Sequence, residues 1–459
     1  MPASSLSSVG ILLLAAGKGT RMHSEKPKVL QPLLETPMLA FVLHAAHAVC
    51  GQAVWTVIGH RADMVEAAFP AEAAHFIEQK EQLGTGHALQ TAWPALRKAG
   101  LSHVVVVNGD TPLVQAETLR AFTQASLENK ADVAFISLTL EDPAGFGRVV
   151  RHNGRVSAIV EAKDYDVAVH GPEPREINAG VYCLRMDAVE PLLAQLNSAN
   201  KSGEYYITDL VGHGVAAGLV VEGVNLGSDP ALLGVNSPVE LVRSEELLRQ
   251  SIVAGHLARG VFVRQGESVR IAPGVCLAPG TCITGPCELY GETSLAAGTV
   301  VESHCVLRNA TVAEGVVIRS YTHVEDATIG PRATVGPYGR LRPGAVLEEG
   351  VHVGNFVEVK KSLVRKGAKV NHLTYIGDAD VGAGVNVGAG TITCNYDGQN
   401  KHRTVIGAGA FIGSNTSLVA PVTIGAGALV GAGSVITKEV PEGAMAIARG
   451  KQVNVPRKK

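Results

Sequence analysis

The chain after residue 260 is governed by a six-residue period. Aliphatic residues recur at Ile271, Leu277, Ile283, Leu289, Leu295, Val301 and Leu307, then at Ile329, Val335, Leu341, Leu347, Val353 and Val359. A third run holds Ile406, Ile412, Leu418, Ile424, Val430 and Ile436, and Gly or Ala often follows, as in Val430-Gly431-Ala432-Gly433-Ser434. An α-helix needs a period of about 3.6 and an exposed strand about 2. Collagen needs glycine at every third position, which fails here. A period of six suits a triangular parallel β-coil in which each hexapeptide makes one flat face and one corner. The aliphatic residue points inward and stacks on its equivalent three periods on, 18 residues later. Glycine serves corners that need positive φ or close backbone approach.

Before residue 260 the pattern is different. Apolar runs of strand type (Val9–Leu14, Val54–Ile58, Val104–Val107) alternate with helical patterns (Met38–Val49, Ala62–Ala68). That alternation predicts βαβ units and a mostly parallel sheet covered on both faces. Ligands of such sheets bind at the carboxyl ends of the strands, which directs attention to the residues after Leu14 and after Val107. A connector follows: Ser237-Pro238-Val239-Glu240 has capping-box spacing with Pro at the first helical position. With Leu241, Leu248 and Ile252 at helical spacing, it predicts one helix over about 238–257. The expected organisation is 1–236, a linker helix over 237–260, and 261–459.

One interruption breaks the period. Between Val387-Gly388-Ala389-Gly390-Thr391 and Ile406 lies Ile392-Thr393-Cys394-Asn395-Tyr396-Asp397-Gly398-Gln399-Asn400-Lys401-His402-Arg403. Insertions in repeat proteins project as loops on one face, often the binding face.

Composition excludes several classes. Lys+Arg 40 against Asp+Glu 42 gives a net charge of −2, no footprint for a nucleic-acid or membrane-surface binder. No apolar run approaches the roughly 20 residues of a membrane span. Val9–Ala16 is apolar, but Met1–Ser8 has no basic residue and Lys18 and Arg21 follow, so a buried strand is expected rather than a leader. The seven cysteines, Cys50, Cys183, Cys276, Cys282, Cys287, Cys305 and Cys394, are an odd number, which fits free thiols in a reducing cytoplasm. Cys282 and Cys287 have no CxxC or paired histidines to complete a zinc site and read as small buried side chains.

Leu14-Ala15-Ala16-Gly17-Lys18-Gly19-Thr20-Arg21-Met22 follows the first strand, where a glycine-rich loop can cradle phosphates. It is neither a Walker A motif nor a Rossmann fingerprint, since Leu12, Gly19 and Met22 stand at disqualifying positions. Arg21 and Lys28 place two cations just beyond the loop, as phosphoryl chemistry requires. Together with Pro27-Lys28, this segment resembles the signature of sugar-1-phosphate nucleotidyltransferases. Gln79, Gln82-Leu83-Gly84-Thr85-Gly86-His87-Ala88, Asn108-Gly109-Asp110, Gly145-Phe146-Gly147-Arg148, Ile159-Val160-Glu161, Ile177-Asn178-Ala179-Gly180 and Gly234-Val235-Asn236 extend the match. Joined to the hexapeptide half, the chain resembles the bacterial bifunctional UDP-N-acetylglucosamine pyrophosphorylases / glucosamine-1-phosphate N-acetyltransferases, with matches in order from Leu14 to Arg449.

The resemblance implies a Rossmann-like α/β nucleotidyltransferase domain followed by a left-handed parallel β-helix. It implies Mg²⁺ on Asp110 and Asn236, with UTP and acetyl-CoA as co-substrates. Leu14, Ala15, Ala16, Gly17, Gln79, Gly84 and Thr85 would hold the uridine nucleotide, with Asn108 and Gly109 in the same triplet as Asp110. Asn108 stands where the family leads one to expect an aromatic, which leaves its role open. Gly147, Glu161 and Asn178 would hold the N-acetylglucosamine moiety, and Arg21 and Lys28 the transferring phosphoryl group.

In the second half, acetyl transfer to an amine needs a base, and a histidine titrating near neutrality is the natural choice. Among 16 histidines, His372 stands out by its place in Asn371-His372-Leu373-Thr374-Tyr375. The resemblance implies His372 as that base, Arg342 and Lys360 on the sugar phosphate, and Tyr375 and Asn386 on the sugar. Asn395 and Tyr396 would line the acetyl end. Ala389, Ser414, Ala432 and Arg449 would follow acetyl-CoA, with Lys401 a further phosphate contact; Glu358, a lone acid, reads as structural, with orientation of a partner as the alternative. A solenoid has flat faces and no deep cleft, so a cleft between neighbouring chains is expected; the resemblance implies a homotrimer with each acetyl site at subunit contacts, where Lys401 and Arg449 would be candidates to contribute in trans. The product, UDP-N-acetylglucosamine, would serve peptidoglycan and envelope glycolipids. Two rivals stand beside this reading: a nucleotidyltransferase whose β-helix only oligomerises, and a non-catalytic scaffold.

Overall fold

The computed structural model describes residues 6–457; Met1–Ser5, the start of the stretch read above for a leader, lie outside them. The chain divides into two compact units, Met1–Glu246 and Leu247–Lys459. The division falls inside the helix Pro238–Ala258, which matches the expected connector to within a residue.

The first unit is built on a sheet of seven main strands: β1 (Val9–Leu14), β2 (Val54–Ile58), β3 (Phe76–Glu78), β4 (His103–Asn108), β5 (Val133–Thr139), β6 (Glu176–Arg185) and β7 (Val221–Asn225). They lie in the order β7-β5-β6-β4-β1-β2-β3. β1 pairs in parallel with both β2 and β4, whereas β6 runs antiparallel to β4 and β5. The alternation of side chains explains why both faces are apolar. Ile11, Leu13, Val105 and Val107 enter one core with Leu39 and Val42 of helix Met38–Cys50. Leu12, Val104 and Val106 enter the other with Leu89 and Leu96 of helix Thr85–Lys98. The chain departs from β1 to one side and returns at β4 on the other, so a crevice opens at their carboxyl ends.

The second unit is a coil of short parallel strands on three faces. The first face begins with Phe262–Arg264, the second with Val269–Ile271 and the third with Cys276–Leu277. Every inward aliphatic position named from the sequence is buried, Leu277 at 9% being the most exposed. The stacking partner is 18 residues on for Ile271 and Leu289, and again for Ile406 and Ile424. It is not 18 throughout. Leu295 sits beside Val312 and Leu307 beside Val324, a 17-residue coil. The face after Leu307 is one residue short, so the inward column passes to Val312, Ile318, Val324 and Ile329. A corner tolerates the lost residue because only the inward side chain and the ladder hydrogen bonds must stay in register. The interruption appears as a long coil, Val381 pairing with Ile406 and Val387 with Ile412, closed by an antiparallel bridge between Tyr396 and Lys401.

Two strands of the coil are unusually long. His352–Lys360 and Lys369–Gly377 run without a break through the corner between first and second faces. Along that corner His304, Tyr321, Tyr338 and Phe356 stack ring on ring, with centroids 4.6, 4.9 and 5.1 Å apart. All seven cysteines are free thiols. Cys287 is buried as expected and lies in register with Cys305, but Cys282 is only half-buried, because its position points outward from its face. No helix among the described residues is long and apolar enough to cross a membrane.

Leu341 is fully buried in the inward column while Glu314 is exposed. Leu341→Ala should cost about 2–5 kcal/mol in urea unfolding, whereas Glu314→Ala should stay within about 0.5 kcal/mol.

Candidate functional sites

The carboxyl ends of β1 and β4 open into a cleft of about 680 Å³. Leu14, Ala15, Ala16, Gly17, Arg21, Lys28, Gln79, Gly84, Thr85, Asn108, Asp110, Gly147, Glu161, Asn178 and Asn236 all line it. Gly109, expected among them, does not. Its N–H donates to the Leu14 carbonyl at 2.9 Å, and a Cβ there would meet Ala15 at 3.2 Å. Gly109 is the joint that lets β4 close on β1.

Three of the lining residues converge. Lys28 ion-pairs with Asp110 and donates to Asn236 Oδ1 at 3.0 Å, while Asp110 Oδ1 is buried with no partner. Asn236 is held by the helix that follows it. Its backbone N–H donates to Glu240 Oε2 at 2.5 Å, and Glu240 N–H donates to Ser237 Oγ at 3.3 Å. The capping arrangement forms as expected, with the carboxylate reaching one residue further back.

At the opposite end, Glu161 accepts from the Thr208 hydroxyl at 3.0 Å, and burial raises its carboxyl above the usual range. A Cβ on Gly147 would meet Ile159 at 3.2 Å and Glu161 at 3.5 Å, so glycine keeps that wall open. Asn178 donates to Tyr182 Oη at 2.6 Å and accepts from Gly180 N–H at 3.0 Å, at a bulge where Gly180 has φ 75°. The Asn108 amide lies against Gly180, which has no room for a Cβ there. This is the contact that an aromatic at position 108 would have to replace. Gln79 donates to the Gly84 carbonyl at 3.1 Å and contacts His87 Nδ1 at 2.9 Å, leaving its carboxamide oxygen for a ligand.

The segment 204–208 was missed by sequence reasoning, yet Glu204, Ile207 and Thr208 line the cleft. It fastens the Gly84-Thr85 turn through Gly86 N–H to the Tyr205 carbonyl (2.7 Å) and Ile207 N–H to Thr85 Oγ1 (3.1 Å). Its one signal was Tyr205-Tyr206, adjacent tyrosines in a chain with nine.

In the coil, the expected residues gather at two places. His372 lies at the corner between first and second faces, its Nδ1 3.0 Å from Asn355 Oδ1. An amide oxygen only accepts, so this contact sets the proton on Nδ1. From His372 the same corner continues coil by coil. Gly390 N–H donates to the His372 carbonyl, Asn415 N–H to Ala389, Gly433 N–H to Ser414, and Arg449 donates to the Ala432 carbonyl at 2.7 Å. Ala389, Ser414, Ala432 and Arg449 thus form one track.

The second place is the far edge of the second face. Arg342 ion-pairs with Glu358 at 2.7 Å, so Glu358 orients Arg342. The Lys360 ammonium beside Lys401 holds the Lys401 pKa below the usual lysine value. Asn395, 8% exposed, donates to Asp378 and lies 3.5 Å from Tyr375 Oη. Tyr396 is exposed in the inserted loop, donating to the Gly398 carbonyl. Asn395 and Tyr396 therefore sit at the corner beyond Tyr375, not on the His372 track, because the insertion leaves the coil after the second face. Asn386 lies on the first face, in register with Lys369. Asn355 was missed as a site residue. The coil period was the available signal, since Asn355 is paired with His372 one turn away.

Residues 11–196 match the MobA-like NTP transferase domain, and residues 403–438 match the bacterial transferase hexapeptide (six repeats). The chain is 64% identical to the bifunctional protein GlmU of Nitratidesulfovibrio vulgaris strain DP4, across 98% of this chain and 99% of that protein. It is 59% identical to the protein of the same name from Oleidesulfovibrio alaskensis, over 97% of each chain. Identity to the GlmU of Acinetobacter baumannii strain AYE is 43%, again over 97% of each. With an N-terminal nucleotidyltransferase fold, a hexapeptide coil and near-complete coverage by these relatives, the chain belongs to the bifunctional GlmU family.

Proposed function

We infer that the chain makes UDP-N-acetylglucosamine in two steps at separate sites. The coil transfers acetyl from acetyl-CoA to the 2-amino group of glucosamine-1-phosphate. The first unit then couples N-acetylglucosamine-1-phosphate to UTP and releases pyrophosphate. The observation that carries the bifunctional reading is the His372–Asn355 pair at the head of the corner track. A coil that served only to oligomerise has no use for an exposed imidazole held by an amide from the turn below.

In acetyl transfer, His372 Nε2 takes the proton from the attacking amine while the thioester carbon is attacked and CoA thiolate leaves. Arg342, Lys360 and Lys401 supply positive charge for the sugar phosphate, and Tyr375 faces the sugar. The track of Ala389, Ser414, Ala432 and Arg449 offers backbone groups and one cation to the extended cofactor. These groups lie at different corners of one coil, which supports a homotrimer in which a neighbouring copy completes each site. Lys401 and Arg449 are the proposed contributors across that boundary.

In uridylyl transfer, a phosphate oxygen of the sugar attacks the α-phosphorus of UTP. The backbone of Leu14–Gly17 and the Gly84-Thr85 turn hold the nucleotide, and Gly147, Glu161 and Asn178 hold the sugar. Asp110 and Asn236 fit Mg²⁺: both offer hard oxygen donors, and Asp110 Oδ1 is buried without a partner. When bound there, Mg²⁺ would neutralise charge on the phosphates. Arg21 and Lys28 carry the rest of that charge. The cytoplasm, where UTP and acetyl-CoA are found, is the proposed location.

Thiol release from acetyl-CoA that depends on glucosamine-1-phosphate, and pyrophosphate release from UTP that depends on N-acetylglucosamine-1-phosphate and Mg²⁺, test the two steps separately. Well-folded protein without thiol release would sink the bifunctional reading. His372→Ala should lower acetyl transfer by about 10²–10⁴-fold and leave uridylyl transfer intact. Asn355→Asp should shift the acid limb of the acetyl-transfer pH profile upward, because a carboxylate beside the imidazole favours its protonated form. Asp110→Asn should abolish Mg²⁺-dependent pyrophosphate release and spare thiol release.

A further inference from the structure

Asp110 and Asn236 present two oxygens to one point, and a cation already stands there. Lys28 Nζ is ion-paired with Asp110 Oδ2 and 3.0 Å from Asn236 Oδ1, with the Lys28 and Asp110 side chains only 13% and 14% exposed. We propose that the Lys28 ammonium is the resident cation of this oxygen pair. A divalent cation enters by displacing it toward the phosphates of the bound nucleotide. This rests on the assignment of Asp110 and Asn236 as the metal site.

The physical reason is charge compensation. A carboxylate this far from water is costly unless a positive partner stands against it. Lys28 provides one, but incompletely, since Asp110 Oδ1 remains buried and unpartnered beside Gly234. A divalent ion carries twice the charge and can be approached by both carboxylate oxygens, so exchange is favourable once the ammonium has somewhere else to go. The nucleotide supplies that place. Gly19, at φ 59°, lies against the Lys28 stem, where a Cβ would come within 2.6 Å of Lys28 Cβ. The stem is therefore tied to the phosphate-cradling loop, and only the ammonium end has to swing. Metal and nucleotide then bind cooperatively: each removes the obstacle the other meets.

Mn²⁺ titrated by electron paramagnetic resonance in the absence of nucleotide reads this directly. Lys28→Met keeps the length of the side chain and removes its charge. Its Kd for Mn²⁺ should be at least about tenfold lower than wild type, equivalent to about 1.4 kcal/mol. An unchanged or weaker Kd in a Lys28→Met protein with native circular dichroism would overturn the proposal. The metal assignment is tested apart from it, by Mn²⁺ titration of Asp110→Asn with UTP present. Binding undiminished there would remove the metal assignment and this proposal with it. Should Lys28→Met fail to fold, reductively ¹³C-methylated wild-type protein serves instead. The dimethyl-Lys28 resonance should move on adding Mg²⁺ without nucleotide, and a fixed resonance with metal bound would overturn displacement.

Discussion

The parallel ladder of the coil makes residues one turn apart in sequence neighbours in space, and the second unit depends on that rule. An inward aliphatic must fall on the one below it, and the backbone hydrogen bonds must close, or the column opens to water. Everything between is free to vary, which is why coils of 17, 18 and 25 residues follow one another without disturbing the core. The same rule builds the site. Asn355 reaches His372 only because their strands pair in that register, and the corner track from Ala389 to Arg449 is a set of successive corners seen end-on.

The first unit obeys a different constraint with a similar outcome. Its strands are apolar on both faces because helices cover both, so polar groups are driven to the strand ends. β1 lies where the connections diverge, and its end meets that of β4 at Gly109. Around that joint, segments far apart in the chain bring glycines where backbone must approach, and a cation, a carboxylate and an amide where phosphate chemistry needs them. Gly19 and Gly180 sit where a side chain would collide with Lys28 or Asn108, and a Cβ on Gly147 would press on Ile159 beside Glu161. Their small size is part of the site as surely as the charge of Asp110.

Much of this was legible in advance. The inward column, the strands of the first unit, the connector helix and nearly all the cleft lining were accessible from periodicity and motif. What was not legible has several causes. Gly109 was expected in the site from its place between Asn108 and Asp110, and what the sequence did not show is that its N–H is engaged by Leu14. Thr208 and its neighbours were passed over because they lie about fifty residues from the glutamate they support. The short faces hid the column between Leu307 and Ile329, since a strict count of six loses register when a corner sheds a residue. That Asn395 and Tyr396 stand at a different corner from the Ala389-to-Arg449 track was not legible either, because it depends on where the insertion leaves the coil.

The sequence by itself determined the two architectures and the chemical cast, because hydrophobic period and residue type are local properties that survive without coordinates. What only the tertiary structure decided was adjacency across long separations. The Lys28 ammonium meets oxygens 82 and 208 residues away, Glu161 is steadied by a hydroxyl 47 residues away, and one nitrogen of His372 is committed to Asn355. Such contacts depend on strand register and loop closure, which are set by the packing of the whole unit rather than by any run of residues within it.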